Sequence, residues 1–200
     1  MFEVNDLYYE LNDEPLIKAL SFSLSPGHFL QITGDNGKGK TTLLKLLAGI
    51  LRPTSGEIFW KKQNIQKNDE YFYPEINYIG HKSAVSLLLT PEENLYFFSQ
   101  AYGLKSSISE ALSAVNLSHK RNTVAASLSA GQIRRIALAR LFLLDTPLWL
   151  LDEPYTALDA QGVVWLKKHI QAHLDQGGMV IMTSHQEHGI KAPYYQEIIL

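Results

Sequence analysis

The chain has 200 residues, 46% of them hydrophobic and 19% charged, with 18 basic side chains against 20 acidic ones for a net charge of −2. This is the length of one domain and the composition of an ordinary globular core, which excludes a disordered chain, a fibre and a coiled coil. The near-neutral balance gives no basis for bulk electrostatic binding to nucleic acid or to an anionic membrane. The absence of cysteine excludes disulfides, thiolate nucleophiles and Cys-ligated metals.

Met1–Asp6 is acidic and has no basic stretch, so no secretory leader is expected there. Apolar runs stop near about ten residues (Leu141 to Leu151, already broken by Asp145 and Pro147). A membrane span needs roughly 18–20. Work at a membrane would therefore pass through a partner.

In chain order, short strands are expected at Phe2–Leu7, Ser21–Leu24 and Phe29–Thr33, with the turn Ser25-Pro26-Gly27 between the last two. A glycine-rich loop follows at Gly34–Gly39. A buried helix then runs Lys40–Leu51 and stops at Arg52-Pro53-Thr54-Ser55-Gly56, before a strand at Glu57–Trp60.

The middle of the chain changes character. Thr90-Pro91-Glu92-Glu93 is a capping box with Pro at the first helical position, and Gly103 ends that helix. Ser107-Ile108-Ser109-Glu110 is a second capping box, opening a helix to about Asn116, and Ala130–Leu144 fits a third. Strand–helix alternation then returns: a fully apolar strand at Leu148–Leu151, a helix from Ala160 to Asp175 stopped by Gly177-Gly178, and a strand at Met179–Thr183. This order predicts an α/β sheet core at 1–83 and 146–200 with a helical insert at 84–145.

Chemistry concentrates in a few places. Gly34-Asp35-Asn36-Gly37-Lys38-Gly39-Lys40-Thr41 matches G-x-x-x-x-G-K-[ST], between a strand and a helix. Average residue frequencies give this pattern by chance in roughly one chain of this length in a hundred. Glycines turn backbone N–H groups inward around phosphate oxygens, and the helix N-terminus adds its dipole. Lys40 reaches the β- and γ-phosphates, and the Thr41 hydroxyl ligates Mg²⁺. Lys38 either adds attraction for phosphate or is a solvated lysine.

Leu148–Leu151 runs into Asp152-Glu153, which puts two carboxylates at the C-terminal edge of a buried strand, where α/β sheets bind ligands. Asp152 suits the metal and Glu153 can polarise water. Alone, such a pair is also a common acidic turn. Ser129-Ala130-Gly131-Gln132 opens a helix shortly before, either as an anion site or as a simple N-cap. His185 follows a strand end and gains weight only from its place in this order.

These motifs, with Ala157-Leu158-Asp159 and Ser184-His185, resemble an ABC-type ATPase nucleotide-binding domain over nearly the whole chain. The implied fold is the P-loop NTPase type, a mixed α/β sheet core with an inserted helical subdomain. The resemblance implies ATP and Mg²⁺ as ligands, bound by residues 34–41 and Thr42, with Thr41 and Asp152 on the metal. It implies Lys40, Glu153 and His185 as catalytic residues, with Glu153 the general base and His185 the γ-phosphate sensor. Ser129 and Gly131 would touch ATP held by a second copy, and Asp159 would contact that copy, making a head-to-tail homodimer around two ATP.

A narrower resemblance lies in Tyr78-Ile79-Gly80-His81, Leu89–Leu95, Leu128–Arg140 and Glu153-Pro154-Tyr155-Thr156-Ala157. These are similar to the CcmA family of bacterial cytochrome c maturation. That implies a peripheral subunit on the cytoplasmic face of the inner membrane, bound to the integral subunits CcmB and CcmC, with no nucleic acid and no membrane insertion of its own. Its ATP hydrolysis would be linked to haem handling and to release of a haem-loaded chaperone. The ATPase of another small ABC exporter remains the alternative.

Three positions depart from the general pattern. Ala130 stands for a usual glycine, and His81 for a usual glutamine near the metal and the attacking water. The aromatic that stacks on adenine would fall near Leu11, with Tyr8 or Tyr9 as substitutes. Residues 84–127 are where a membrane subunit would dock. The apolar run Ala84–Leu89 reads either as that contact or as core packing.

Overall fold

The computed structural model describes residues 1–103, 107–184, 189–192 and 194–200. Two sheets and a helical insert share the chain. The first sheet is antiparallel, in the order β2 (Glu14–Leu24), β1 (Phe2–Leu11), β4 (Ser55–Trp60), β5 (Gln63–Asn64). Both leading strands outrun the expected Phe2–Leu7 and Ser21–Leu24. They meet at Asn12-Asp13, both with positive φ, the two-residue turn that matches the twist of a hairpin.

The second sheet is parallel, in the order β6 (Ile76–Ile79), β7 (Leu148–Asp152), β8 (Met179–Thr183), β3 (His28–Thr33), β9 (Tyr194–Ile199). β6 and β9 have no counterpart in the sequence reading. Every residue of β7 and β8 is buried, as expected of parallel strands covered on both faces. The pleat sorts them. Leu148, Leu150 and Ile181 join the core under the antiparallel sheet, whereas Trp149, Leu151, Val180 and Met182 join the core on the opposite face.

Helix α1 (Lys40–Leu47) packs on the first face. It is shorter than the expected Lys40–Leu51, because Gly49, at φ 72°, and Ile50 return their N–H groups to the carbonyls of Leu46 and Lys45. That arrangement stops a helix by using up its last acceptors. A single turn, α2 (Asp69–Phe72), follows β5.

The helical insert holds α3 (Pro91–Ala101), α4 (Ile108–Ala114) and α5 (Ala130–Ala139), joined through a core of Leu95, Leu112, Leu117, Leu128 and Ile136. Thr90 and Glu93 form the predicted capping box, and the Ser107 hydroxyl accepts from the Glu110 N–H. α5 ends five residues before the expected Leu144, tightening into one 3₁₀ turn at Arg140–Phe142 where the Asn77 side chain takes the Arg140 carbonyl. Core packing accounts for only part of the run 84–89, through Val85, which packs against two of the cores. The run is a loop in which Leu87 is 49% and Leu88 86% exposed.

Helix α6 (Ala160–Asp175) has the expected bounds and buries Leu166, Ile170 and Leu174. Its last turn carries His173, whose ring stacks on Trp149 at 3.9 Å and 7°. A Cβ at Gly178 would stand 2.2 Å from His173 Nε2, so any other residue there would push the ring off its stack. Burial pulls the His173 pKa down to about 4, although the Met179 and Pro147 backbones and Asp145 favour the charged form. The fold therefore prefers neutral His173. Its contribution is complete above the unfolded value near 6.5 and is lost as pH falls towards about 4. Thermal unfolding followed from pH 7 to pH 4.5 should show a falling midpoint, with a shallower fall in His173→Gln. Equal slopes in the two proteins would contradict this.

Among the described residues no helix is long and apolar enough to cross a membrane.

Candidate active site

The parallel register brings four strand ends to one edge. Asp152 lies opposite Thr183, and Ile79 opposite Leu151, so Gly80-His81, Asp152-Glu153, Thr183-Ser184 and the loop from Gly34 emerge side by side. Ligands of open α/β sheets bind at this edge.

Here the glycine-rich loop wraps the N-terminus of α1. Gly39 precedes that helix at φ 97°, and the Leu16 side chain fills the space a Cβ would need. Lys40 is 8% exposed, and its Nζ donates to the carbonyls of Gly34 (2.7 Å) and Asp35 (3.1 Å). The loop is thus closed from within by the charge that the sequence assigns to phosphate. A cavity of about 340 Å³ opens beside it, lined by Asn36, Gly37, Gly39, Lys40, Thr41, Thr42, His81, Asp152, Glu153, Leu11 and Leu16. Gly34, Asp35 and Lys38 do not line it, and Lys38 is exposed.

Asp152 is 1% exposed, and a carboxylate so placed is costly unless its lone pairs are used. Thr41 Oγ1 donates to Oδ2 and Thr183 Oγ1 to Oδ1, both at 2.8 Å. A hydroxyl and a carboxylate in contact at the start of a phosphate loop are hard oxygen donors. They suit Mg²⁺ held jointly with phosphate and water, and no cluster of three or more His, Asp or Glu exists among the described residues to suit another metal.

Glu153 follows at φ 45°, in the left-handed region that non-glycine residues avoid. Its N–H donates to Thr183 Oγ1 at 2.8 Å. Arg134, 3% exposed, reaches from α5 to the Gly80, Asp152, Glu153 and Pro154 carbonyls. Burial lowers the Arg134 pKa, and the Asp152 and Glu153 charges oppose that. Tyr78 is partly buried beside Asp152; burial first, and then the Asp152 charge, push it up to about 12, so it stays neutral.

Ser129 and Gly131 lie elsewhere. With Gln132, Arg135, Ala157 and Asp159 they line a separate cavity of about 500 Å³. Ser129 and Gln132 form a reciprocal capping box, so the plain N-cap reading holds locally. That uses the Ser129 oxygen as an acceptor and leaves its O–H to donate. A Cβ on Gly131 would meet the Ala157 carbonyl at 2.7 Å. Asp159 caps α6 through the Gly162 N–H and pairs with Arg135 at 3.1 Å.

Thr183 and Arg134 were given no role from sequence. The signal for Thr183 is a threonine ending an otherwise apolar strand. Arg134 is one of three arginines in α5 and the turn after it, and nothing local separates it from Arg135 and Arg140. Neither Tyr8 nor Tyr9 lines the phosphate cavity. Tyr8 bonds Glu10 and Tyr9 packs on the core, leaving Leu11 and Leu16 at the cavity wall. His185 lies outside the described residues.

The family profile described as ABC transporter matches residues 17–156. The cytochrome c biogenesis ATP-binding export protein CcmA of Salmonella typhi is 45% identical over 186 residues, covering 93% of this chain and 90% of the relative. Among solved structures, the ATP-binding subunit of an ABC transporter superposes with a TM-score of 0.82 at 26% identity, covering 92% of this chain and 80% of that one. A dimeric ATP-binding cassette bound to ADP and phosphate superposes at 0.79 with 23% identity, covering 93% and 88%, a likeness of fold. The chain belongs to the ABC transporter family, is an ABC-type ATPase, and falls among the CcmA proteins of cytochrome c biogenesis.

Proposed function

We propose that two copies of this chain close head-to-tail around two ATP molecules and hydrolyse them on the cytoplasmic face of the bacterial inner membrane. The copies would be bound there to CcmB and CcmC. Hydrolysis drives haem handling and release of the haem-loaded chaperone. The observation that carries this is the separation of the two phosphate-seeking elements. Lys40 with Thr41, and Ser129 with Gly131, line different cavities of one chain. Each is half of a site, and a second copy supplies the other half.

Within each site Lys40 and the N–H groups of residues 36–42 hold the phosphates. Thr41 and Asp152 hold Mg²⁺, which offsets phosphate charge. Glu153 takes a proton from the attacking water, and His185 senses the γ-phosphate. Thr183 keeps Asp152 and Glu153 in register by hydrogen bonds to both. Positioning and charge stabilisation supply most of the rate in such reactions.

The first part of the helical subdomain, 84–127, is the docking element for the membrane subunits. Its exposed Leu87, Leu88, Tyr96 and Phe97 support this, since a surface in water gains by covering large apolar side chains. A detergent pull-down from the native membrane, with the bound proteins identified, should recover CcmB and CcmC. Replacing Leu88 with Glu should reduce that recovery severalfold. Recovery of a different transporter's membrane subunit would assign the chain to another exporter.

A further inference from the structure

Arg134 binds more of the site's backbone than any side chain that faces the cavity. Its Nη1 donates to the Gly80 carbonyl at 2.8 Å. Its Nη2 donates to Asp152 (2.9 Å) and Glu153 (3.1 Å), and its Nε to Pro154 (3.4 Å). One planar fork therefore ties the end of β6, just before His81, to three successive residues at the end of β7. A guanidinium can do this because its donors are fixed in one plane. An ammonium cannot span the same acceptors.

The peptide it grips is the unusual one. Glu153 has φ 45° and no glycine's freedom to adopt it. Contacts on both sides hold it there: Thr183 takes the Glu153 N–H from one side, and the Glu153 carbonyl accepts from both Arg134 and the Thr156 N–H on the other. The direction of the Cα–Cβ bond, and hence of the carboxylate, follows from that backbone.

Arg134 sits five residues after Ser129, on the helix whose first turn carries Gly131. We propose that Arg134 is the positioning residue for Glu153, fixing the carboxylate in its catalytic direction and making that direction depend on where α5 stands. This rests on the reading of Glu153 as the base and of Ser129 and Gly131 as the face met by a second copy's ATP. A shift of α5 on closure moves the Asp152, Glu153 and Gly80 carbonyls together, so engagement at one cavity is felt at the other.

The test is a double-mutant cycle on the whole chain with MgATP, followed by steady-state and single-turnover phosphate release. Arg134→Lys should lower kcat about 10- to 100-fold, the range expected for a misdirected catalytic group. KM should stay within about twofold, because Arg134 does not line the phosphate cavity. Arg134→Gln should lose more. In the Glu153→Gln background, Arg134→Lys should cost less than about twofold further, since there is no base left to aim.

Equal losses in both backgrounds, or a raised KM with unchanged kcat, would overturn the proposal. A normal rate in Glu153→Gln alone would sink the base assignment and this inference with it. Thermal unfolding is read for every variant. If Arg134→Lys and Arg134→Gln both fail to melt cooperatively, Arg134 is a residue of the fold and the positioning role is lost.

Discussion

Glu153→Gln should lower ATP hydrolysis by about two to four orders of magnitude, the usual contribution of a positioned general base, while nucleotide binding survives. The amide has the size of the carboxylate but cannot accept the proton. The backbone bonds that hold residue 153, to Thr183 and Arg134, do not involve its side chain and persist in the variant. Asp152 keeps both hydroxyl partners, so the metal donors are untouched. The variant should bind ATP, hydrolyse it poorly and stay dimeric. Gel filtration with MgATP should move it to twice the monomer mass, whereas the parent chain returns to the monomer as ATP is consumed. Hydrolysis at the parent rate would remove Glu153 from the mechanism.

Lys40→Ala should fail one step earlier. Lys40 brings its charge to the floor of the phosphate cavity, and charge-assisted hydrogen bonds of this kind are worth about 1.5–3 kcal/mol each. Losing it should weaken MgATP binding by about 10- to 100-fold and take hydrolysis to background. The same change frees the Gly34 and Asp35 carbonyls, so the loop should also loosen. Titration with a fluorescent nucleotide separates the two variants, since Lys40→Ala loses affinity and Glu153→Gln keeps it. Full affinity in Lys40→Ala would show that the backbone N–H groups hold the phosphates unaided.

The parts of this molecule that could be read from its residues are those with a local cause. The capping box at Thr90, the Gly177-Gly178 stop and the apolar run Leu148–Leu151 of β7 each follow from a few neighbouring residues. Strand β6 gives no local signal, because its four residues include the buried Asn77 and follow a proline turn. It exists because Ile76–Ile79 find β7 as a partner. Strand β9 is held by β3, far away in sequence. At the site, the glycine-rich loop and the two acids are contiguous motifs and were visible. Thr183 and Arg134 act through register and through a reach across the fold, 31 residues from Asp152 in one case and 54 from Gly80 in the other. No window of sequence contains such a contact.

On the proposed head-to-tail arrangement, with Lys40 and Ser129 of one chain facing different cavities, the number of complete sites depends on how often two chains meet. In dilute solution the rate per chain should then climb with protein concentration. A membrane complex that holds two copies within reach replaces that search with a fixed effective concentration, which short tethers set in the millimolar range. On that reading, the membrane partner's first service to this ATPase is proximity.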